Sequence, residues 1–292
     1  MICIKWAEWK WMAGEQSCIS GAAIGDGFMH IVHAVREGIM ARTGGMKRCL
    51  LAALAASLLL SGRLAQAAPV DVAVDVGHTL AAPGATSARG RSEFEFNREL
   101  ARAVVRALQQ RRLEVATINA DGLVPSLQAR PRAAGGARFF LSIHHDSVNA
   151  GELQPWIWEG RRLDYSDAFA GHSLFVSRAN PDTARSILCA RTIGARLQRL
   201  GFVPTHKNGR RRAYADEVHA VHYYDELAVL RHASMPAVLF EAGVIKHREE
   251  ELRLLDPVLQ ARMADGIATG IAACLGNGLP ADEEADADRG PR

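Results

Sequence analysis

The chain has 292 residues, of which 48% are hydrophobic and 23% are charged. This composition is typical of a globular protein with one or two domains, and it excludes collagen-like, low-complexity and multi-span membrane proteins. The net charge of +3 comes from the first 67 residues, with seven Lys and Arg against four Asp and Glu, because residues 68–292 carry 28 of each. A neutral remainder gives no electrostatic reason to expect nucleic acid or an anionic membrane surface as a partner.

The start of the chain has the pattern of an export signal. A basic stretch at residues 46–48 precedes an uncharged apolar run at 50–60, and the small residues Ala65 and Ala67 follow. This order is typical of a secretory signal peptide cleaved after Ala67. Eleven apolar residues are too few to span a bilayer, which needs about 20. We therefore interpret residues 46–67 as a signal peptide, and we expect an exported mature chain, without a membrane span, in the periplasm.

Two terminal segments are predicted to lie outside the fold. Residues 1–45 show no clear periodicity, and we interpret them as an upstream leader, with translation starting at Met46 or Met40; an extended signal region is the alternative. If Met1 were used and export failed, the protein would be intracellular. Residues 279–292 include five acids within seven positions, which predicts a disordered acidic tail.

The mature chain alternates between short apolar runs and amphipathic stretches. Predicted strands lie at residues 70–76, 115–118, 139–143, 174–176 and 237–240. The first predicted helix carries Phe96, Leu100, Val104 and Leu108 at intervals of four, and further helices are predicted at 183–200 and 257–275. Ser92 and Glu95 form a candidate capping box at the start of the first helix.

This alternation predicts the fold class. We expect a single α/β domain over residues 68–278, with a twisted, mostly parallel sheet and helices on both faces. After removal of the signal, two cysteines remain, Cys189 and Cys274, each in a predicted helix. A disulfide between them is permitted in an oxidising compartment, and two buried free thiols are the alternative.

Polar residues follow the predicted strands at equivalent places. His78 comes after the first strand through Gly77, His144 ends the strand at 139–143, and Glu241 ends the strand at 237–240. Open α/β sheets bind ligands at the carboxyl ends of their strands, so these side chains could share one edge. Glu93, in the first turn of the following helix, can point back to that edge.

Two His and one carboxylate, with a fourth position left to water, form a known ligand set of catalytic zinc. The remaining Glu could then act as a general base. Each residue also has a plainer interpretation. His78 could be a polar residue in a Gly-rich turn, and Glu93, like Glu95, could simply favour the helix N-terminus. Glu241 could form a structural ion pair with Arg231.

Four blocks of sequence together resemble a known family. They are VAVDVGH at 72–78, EFEFN at 93–97, FLSIHHD at 140–146 and VLRHASMPAVLFEAG at 229–243. Their order and spacing are similar to those of the zinc-dependent N-acetylmuramoyl-L-alanine amidases, the peptidoglycan amidases of the bacterial cell-separation type. The resemblance implies that His78, Glu93 and His144 hold one zinc ion and that Glu241 is catalytic. It selects His144 over His145, which points to the opposite face of the strand.

The resemblance also implies a reaction and a partner. The expected reaction is zinc-dependent hydrolysis of the amide between N-acetylmuramic acid and L-alanine, with peptidoglycan, both glycan strand and stem peptide, as the substrate. Some relatives are controlled by activator proteins, so an activator is a further candidate partner. The alternatives are a zinc peptidase that cleaves within the stem peptide and a catalytically silent wall-binding module.

The chain departs from the family beside the expected cleft. Thr79-Leu80 replaces two glycines, His145-Asp146 replaces Ala-Asn, and residues 242–244 read Ala-Gly-Val in place of Leu-Gly-Phe. These differences leave the reaction better supported than the substrate preference.

Three further polar groups keep two interpretations each. Asp75 could orient a ligand or make a hydrogen bond within the sheet. His219 and His222 could line the cleft or the surface rather than bind a second metal. The run Arg210-Arg211-Arg212 could contact the carboxylates of a stem peptide, or it could simply be solvated.

Overall fold

The computed structural model describes residues 69–276. The interpreted leader at 1–45, the signal peptide at 46–67 and the acidic tail at 279–292 therefore lie outside the described residues, as do the edges of the predicted domain. Among the described residues, no helix combines the length and the apolar character needed to cross a membrane.

The elements alternate as the sequence predicts. The strands are β1 (Val72–Val76), β2 (Val115–Ile118), β3 (Phe139–Asp146), β4 (Gln154–Trp158), β5 (Arg161–Tyr165), β6 (Ser173–Val176), β7 (Tyr214–Asp216), β8 (Val221–Tyr223) and β9 (Ala237–Val244). The α-helices are α1 (Glu93–Gln110), α2 (Ala129–Ala133), α3 (Thr183–Arg199), α4 (Ala228–Arg231), α5 (Arg248–Leu255) and α6 (Pro257–Cys274).

Seven of the described strands form one mixed sheet in the order β2-β1-β3-β9-β6-β8-β7. Strands β2, β1, β3 and β9 run parallel to one another, β6 runs antiparallel to β9 and parallel to β8, and β7 is antiparallel to β8. The remaining two strands, β4 and β5, form a separate antiparallel hairpin. The prediction of one α/β domain with a mostly parallel sheet is confirmed.

Helices cover both faces of this sheet, again as predicted. On one face, Val74 and Phe240 belong to a large core shared with Leu100 of α1, Ile193 of α3 and Ile267 of α6, all of which are essentially inaccessible to solvent. The opposite face has a smaller core, in which Phe140 and Leu239 pack with Leu230 of α4. The smaller core leaves room on this face for polar side chains near the carboxyl ends of the strands.

Two strands are longer than predicted. β3 continues past Ile143 to Asp146, and β9 continues past Phe240 to Val244, so His144 and Glu241 lie inside strands rather than at their ends. The prediction of these ends was wrong because backbone pairing does not require apolar side chains: His144 is the register partner of Glu241 across the two strands. Both residues nevertheless lie toward the carboxyl ends of the parallel strands β3 and β9.

The helix layer carries two local features that the sequence suggested. Glu95 Oε2 accepts hydrogen bonds from the backbone N–H of Ser92 at 3.3 Å and from its hydroxyl at 3.0 Å, so this pair caps α1. Cys189 of α3 and Cys274 of α6 form a disulfide, with 5.1 Å between their Cα atoms. Of the two alternatives for these cysteines, the structure therefore has the disulfide.

Candidate metal centre

Three of the four predicted site residues meet at one point. Glu93 Oε1 lies 2.9 Å from His78 Nε2 and 3.1 Å from His144 Nδ1. One atom from each residue can be chosen so that all three lie within 4.8 Å of one another. Two imidazole nitrogens and a carboxylate oxygen are the donor set that catalytic zinc sites use, so these residues could hold one such ion.

The cluster depends on a close approach between the backbone and its own side chains. A Cβ placed on Gly77 would lie 2.4 Å from His144 Nε2, and one on Gly84 would lie 2.5 Å from Glu93 Oε2. Gly84 also has a φ of +81°, a conformation that glycine adopts without strain. No pattern in the sequence marks either glycine for this role.

His78 itself adopts a left-handed backbone conformation, with φ of +67°. Two side chains hold the carbonyls around it. Asn119 Nδ2 donates to the carbonyl oxygens of Val76 and His78, each at 2.6 Å, and Arg130 also donates to both carbonyls. Since left-handed backbone is costly for a non-glycine residue, these bonds stabilise the turn that presents the His78 ring.

Asp75 acts on this turn indirectly. Its carboxylate oxygens accept from Arg130 Nη1 at 3.1 and 3.2 Å and from the Ser142 hydroxyl at 2.7 Å. Asp75 and Arg130 are both almost fully buried. Burial raises the pKa of the Asp75 carboxyl, and the Arg130 charge acts in the opposite direction. Of its two interpretations, the hydrogen bond within the sheet is present, and through Arg130 it also supports the backbone turn at His78.

Glu93 is fixed from several sides. The Ala85 N–H donates to Oε2 at 3.1 Å, and Asn97 Nδ2 donates to Oε1 at 3.3 Å. Burial alone would raise the pKa of Glu93, but hydrogen bonds from His144 and His78 bring it well below its ordinary value. The carboxylate is therefore held ionised. Glu95, the competing acid, is used in the helix cap instead.

His145 points away from the cluster, as strand alternation predicted. Its Nδ1 lies 2.8 Å from Asn97 Oδ1, and its ring lies 5.4 Å from that of Phe96. Burial lowers the pKa of His145 to about 3, so the ring is neutral. Through Asn97, His145 helps to orient Glu93 from behind the sheet.

Glu241 faces the same side of the sheet as His144, its register partner on β3. Its Oε2 is buried and has no hydrogen-bond partner among the described residues. Burial raises the pKa of Glu241 well above its ordinary value, and the negative charges of Asp146 and Glu93 add to the rise. The positive charges of Lys207 and Arg212 oppose it. A carboxyl group of this kind is suited to hold and release a proton.

Within the described residues, Arg231, His219 and His222 lie outside the cluster of His78, Glu93 and His144. Arg231 is exposed at the end of α4, and within residues 69–276 it forms no ion pair with Glu241. His219 Nδ1 lies 2.8 Å from Asp216 Oδ1. His222 is buried, 4.6 Å from the Tyr214 ring, and has no hydrogen-bond partner among the described residues. These contacts give no indication of a second metal site at His219 and His222.

A family model and several solved structures are similar to this chain, and all are described as amidases of the same class. A family model described as N-acetylmuramoyl-L-alanine amidase (Amidase_3) matches residues 72–273. The catalytic domain of CwlV, an N-acetylmuramoyl-L-alanine amidase from Bacillus (Paenibacillus) polymyxa, is 27% identical, with a TM-score of 0.54 over 71% of this chain and 98% of that one.

Two more distant structures share the fold. The amidase Ami1 from Mycobacterium smegmatis is 20% identical, with a TM-score of 0.58 over 71% of this chain and 97% of that one. The CwlD amidase from Clostridioides difficile, in complex with the GerS lipoprotein, is 18% identical, with a TM-score of 0.54 over 71% and 99%. A comparison with curated proteins finds no match.

Proposed function

The chain belongs to the N-acetylmuramoyl-L-alanine amidase family, and from this premise we propose that it is a zinc-dependent enzyme that cleaves the amide between N-acetylmuramic acid and L-alanine in peptidoglycan. The observation that carries the proposal is the convergence of His78, Glu93 and His144 beside the unpartnered carboxyl of Glu241.

His78, Glu93 and His144 would hold the zinc ion. When bound, zinc supplies Lewis acidity, which polarises the amide carbonyl and lowers the pKa of water toward about 7. The residues behind the ligands keep them in place before substrate arrives. Asn97 and the Ala85 N–H orient the Glu93 carboxylate, and Asn119 and Arg130 fix the backbone turn at His78.

Glu241 would move the protons of the reaction. In its deprotonated form, the Glu241 carboxyl accepts a proton from the water that attacks the amide carbonyl, and its raised pKa favours keeping that proton until the carbon–nitrogen bond breaks. The proton then passes to the alanine nitrogen as it leaves. The products are a glycan strand with free lactyl carboxyls and a stem peptide with a free amino terminus.

We further propose that the enzyme works outside the cytoplasm, in the periplasm. The disulfide between Cys189 and Cys274 supports this, because disulfides persist in oxidising compartments and are rare in the cytosol. An activator protein remains a candidate partner; the relative CwlD has been seen in complex with a lipoprotein, which is a finding about that amidase.

The test is product analysis on purified sacculi treated with the full-length protein, with chelator and after zinc is restored. Free stem peptides that begin with L-alanine, lost on chelation and regained with zinc, are the expected products. Metal-dependent cleavage within the peptide would instead indicate a zinc peptidase. No cleavage by zinc-loaded protein, with or without extracts of cell envelope that could contain an activator, would indicate a silent wall-binding module.

Variants separate metal binding from proton transfer. His78→Ala is expected to lose both bound zinc and hydrolysis, whereas Glu241→Gln is expected to retain zinc and to lose at least a hundredfold in rate. Glu95→Gln is the matched control, because this acid also lies in the first turn of α1 but serves its cap and a surface ion pair with Arg91 rather than the cluster. Full activity of Glu241→Gln would contradict the assigned role.

A further inference from the structure

A basic segment at residues 207–212 borders the candidate active site. Together with residues 146–149 it lines a surface cavity of about 270 Å³. Three of its four cations have partners nearby. Lys207 Nζ lies 2.7 Å from Asp146 Oδ1, Arg210 Nη2 lies 2.9 Å from Glu152 Oε1, and Arg211 Nη1 donates to Asn149 Oδ1 at 2.9 Å.

Among the described residues, Arg212 forms no ion pair and, unlike the other three side chains, has no polar contact shorter than 3.5 Å. Its guanidinium lies 3.6 Å from the centre of the Tyr224 ring and 5.7 Å from that of Phe175. Its one hydrogen bond is a long one, from Nη1 to Asn208 Oδ1 at 3.5 Å. Stacking on an aromatic ring fixes the plane of a guanidinium and leaves its N–H edge available to an anion.

Sheet register places this guanidinium on the same face as the catalytic carboxyl. Ser173 is the register partner of Glu241, and Phe175, beneath Arg212, lies two residues further along β6 on the same face. The Cα atoms of Glu241 and Phe175 are therefore separated by one strand and two residues, which corresponds to roughly 8 Å. Asn208 connects the two places, since its Nδ2 donates to Ser173 Oγ at 3.3 Å.

The expected substrate has an acid at a matching distance. In peptidoglycan the L-alanine is followed by D-glutamate linked through its γ-carboxyl, so the α-carboxylate of that residue is the first free acid after the scissile amide. In an extended peptide it lies about 7 Å from the amide carbonyl carbon, given the 3.8 Å spacing of successive Cα atoms.

Resting on the proposed function, we propose that Arg212 binds the α-carboxylate of this second stem residue. A guanidinium and a carboxylate form two parallel hydrogen bonds, which fixes the direction in which the peptide runs from the cleavage point. The enzyme therefore discriminates between stems in which this carboxylate is free and stems in which it is amidated.

The test uses the full-length protein with two N-acetylmuramoyl tripeptides, L-alanyl-γ-D-glutamyl-L-lysine and its counterpart with the glutamyl α-carboxylate amidated; in both, the γ-carboxyl is bound in an amide, so they differ only at the α-carboxylate. Binding is measured by calorimetry in the presence of a chelator, so that no turnover occurs, and kcat/KM is measured with zinc. The wild-type protein is expected to prefer the acid by about tenfold to a hundredfold, as for a hydrogen-bonded charge. In Arg212→Gln, the affinity and kcat/KM for the acid are expected to fall to those for the amide, and the values for the amide are expected to stay unchanged.

Two more variants make the result specific. Arg212→Lys keeps the charge without the paired donors and is expected to retain only part of the preference. Arg211→Gln, the matched control, removes an exposed neighbouring charge and is expected to retain the full preference. If Arg212→Gln weakened the binding of both ligands equally, or of neither, the inference would be overturned. If zinc-loaded wild-type protein released no stem peptide from sacculi, with or without cell-envelope extract, the proposed function would fail, while the binding comparison would still decide the role of Arg212.

Discussion

Loss of the disulfide between Cys189 and Cys274 is expected to lower the free energy of unfolding by about 4 to 5 kcal/mol. The two cysteines are 85 residues apart in sequence. Closing a loop of that length in the unfolded chain removes about 15 cal/mol/K of entropy, or about 4.6 kcal/mol at 25 °C. Breaking the bond restores this entropy to the unfolded state and leaves the folded state with the same sheet.

Urea unfolding of oxidised and reduced protein, followed by circular dichroism, measures this difference. For a domain of about 200 residues, it corresponds to a fall of roughly 10 to 15 °C in Tm. Both cysteines lie in the core, so a Cys189→Ala, Cys274→Ala variant also loses packing contacts. The comparison of oxidised with reduced wild-type protein isolates the cross-link, and the double variant, insensitive to reductant, is its control. A difference below about 1 kcal/mol would refute the loop-entropy reasoning.

Three other predictions concern buried groups. Asp75→Asn leaves the Arg130 guanidinium buried without its negative partner and should lower the unfolding free energy by about 3 to 5 kcal/mol in urea titrations; a loss below about 1 would contradict this. Gly77→Ala places a methyl group against His144 and should weaken zinc binding about 10- to 100-fold in competition with a chelating dye, and unchanged affinity would contradict the close approach. Burial lowers the pKa of His172 to about 4, whereas the pKa in the unfolded chain is about 6.5. Unfolding at a pH between these two values therefore takes up a proton. The unfolding free energy should fall by up to about 3 kcal/mol as the pH drops from 6.5 to 4. His172→Asn should remove that part of the slope in urea titrations at several pH values, and an unchanged slope would contradict it.

The sequence predicted the elements whose signal is local. The β-branched and apolar runs gave the central strands, and the four-residue spacing of Phe96 and Leu100 gave α1 with its cap. The hairpin of β4 and β5 was not predicted, because its exposed residues show no core pattern. It is attached to distant parts of the chain, for example through hydrogen bonds from Trp156 Nε1 to the Ala88 carbonyl at 2.9 Å and from Lys246 Nζ to the Asp164 carbonyl at 3.1 Å. Strands β7 and β8 were also missed, since three residues each are too few to show a period.

In the candidate site, too, local sequence patterns were predictive and long-range contacts were not. Strand-end reasoning placed His78, His144 and Glu241 at one edge of the sheet, and the structure brings the first two together with Glu93. Their supports could not be predicted, because Arg130 reaches His78 across 52 positions and nothing in its own surroundings marks it as a buried partner. The roles of these residues stay predictions until metal binding and turnover are measured.

The strand order also has a consequence for a nascent chain. Strand β9 is the last strand in sequence within residues 69–276, yet it lies in the middle of the sheet between β3 and β6 and carries Glu241. A chain delivered from its N-terminus can pair β1, β2 and β3 early, but the two halves of the sheet cannot join until residue 244 has emerged. A chain that ends before β9 therefore has His78, Glu93 and His144 but lacks both the second half of the sheet and Glu241.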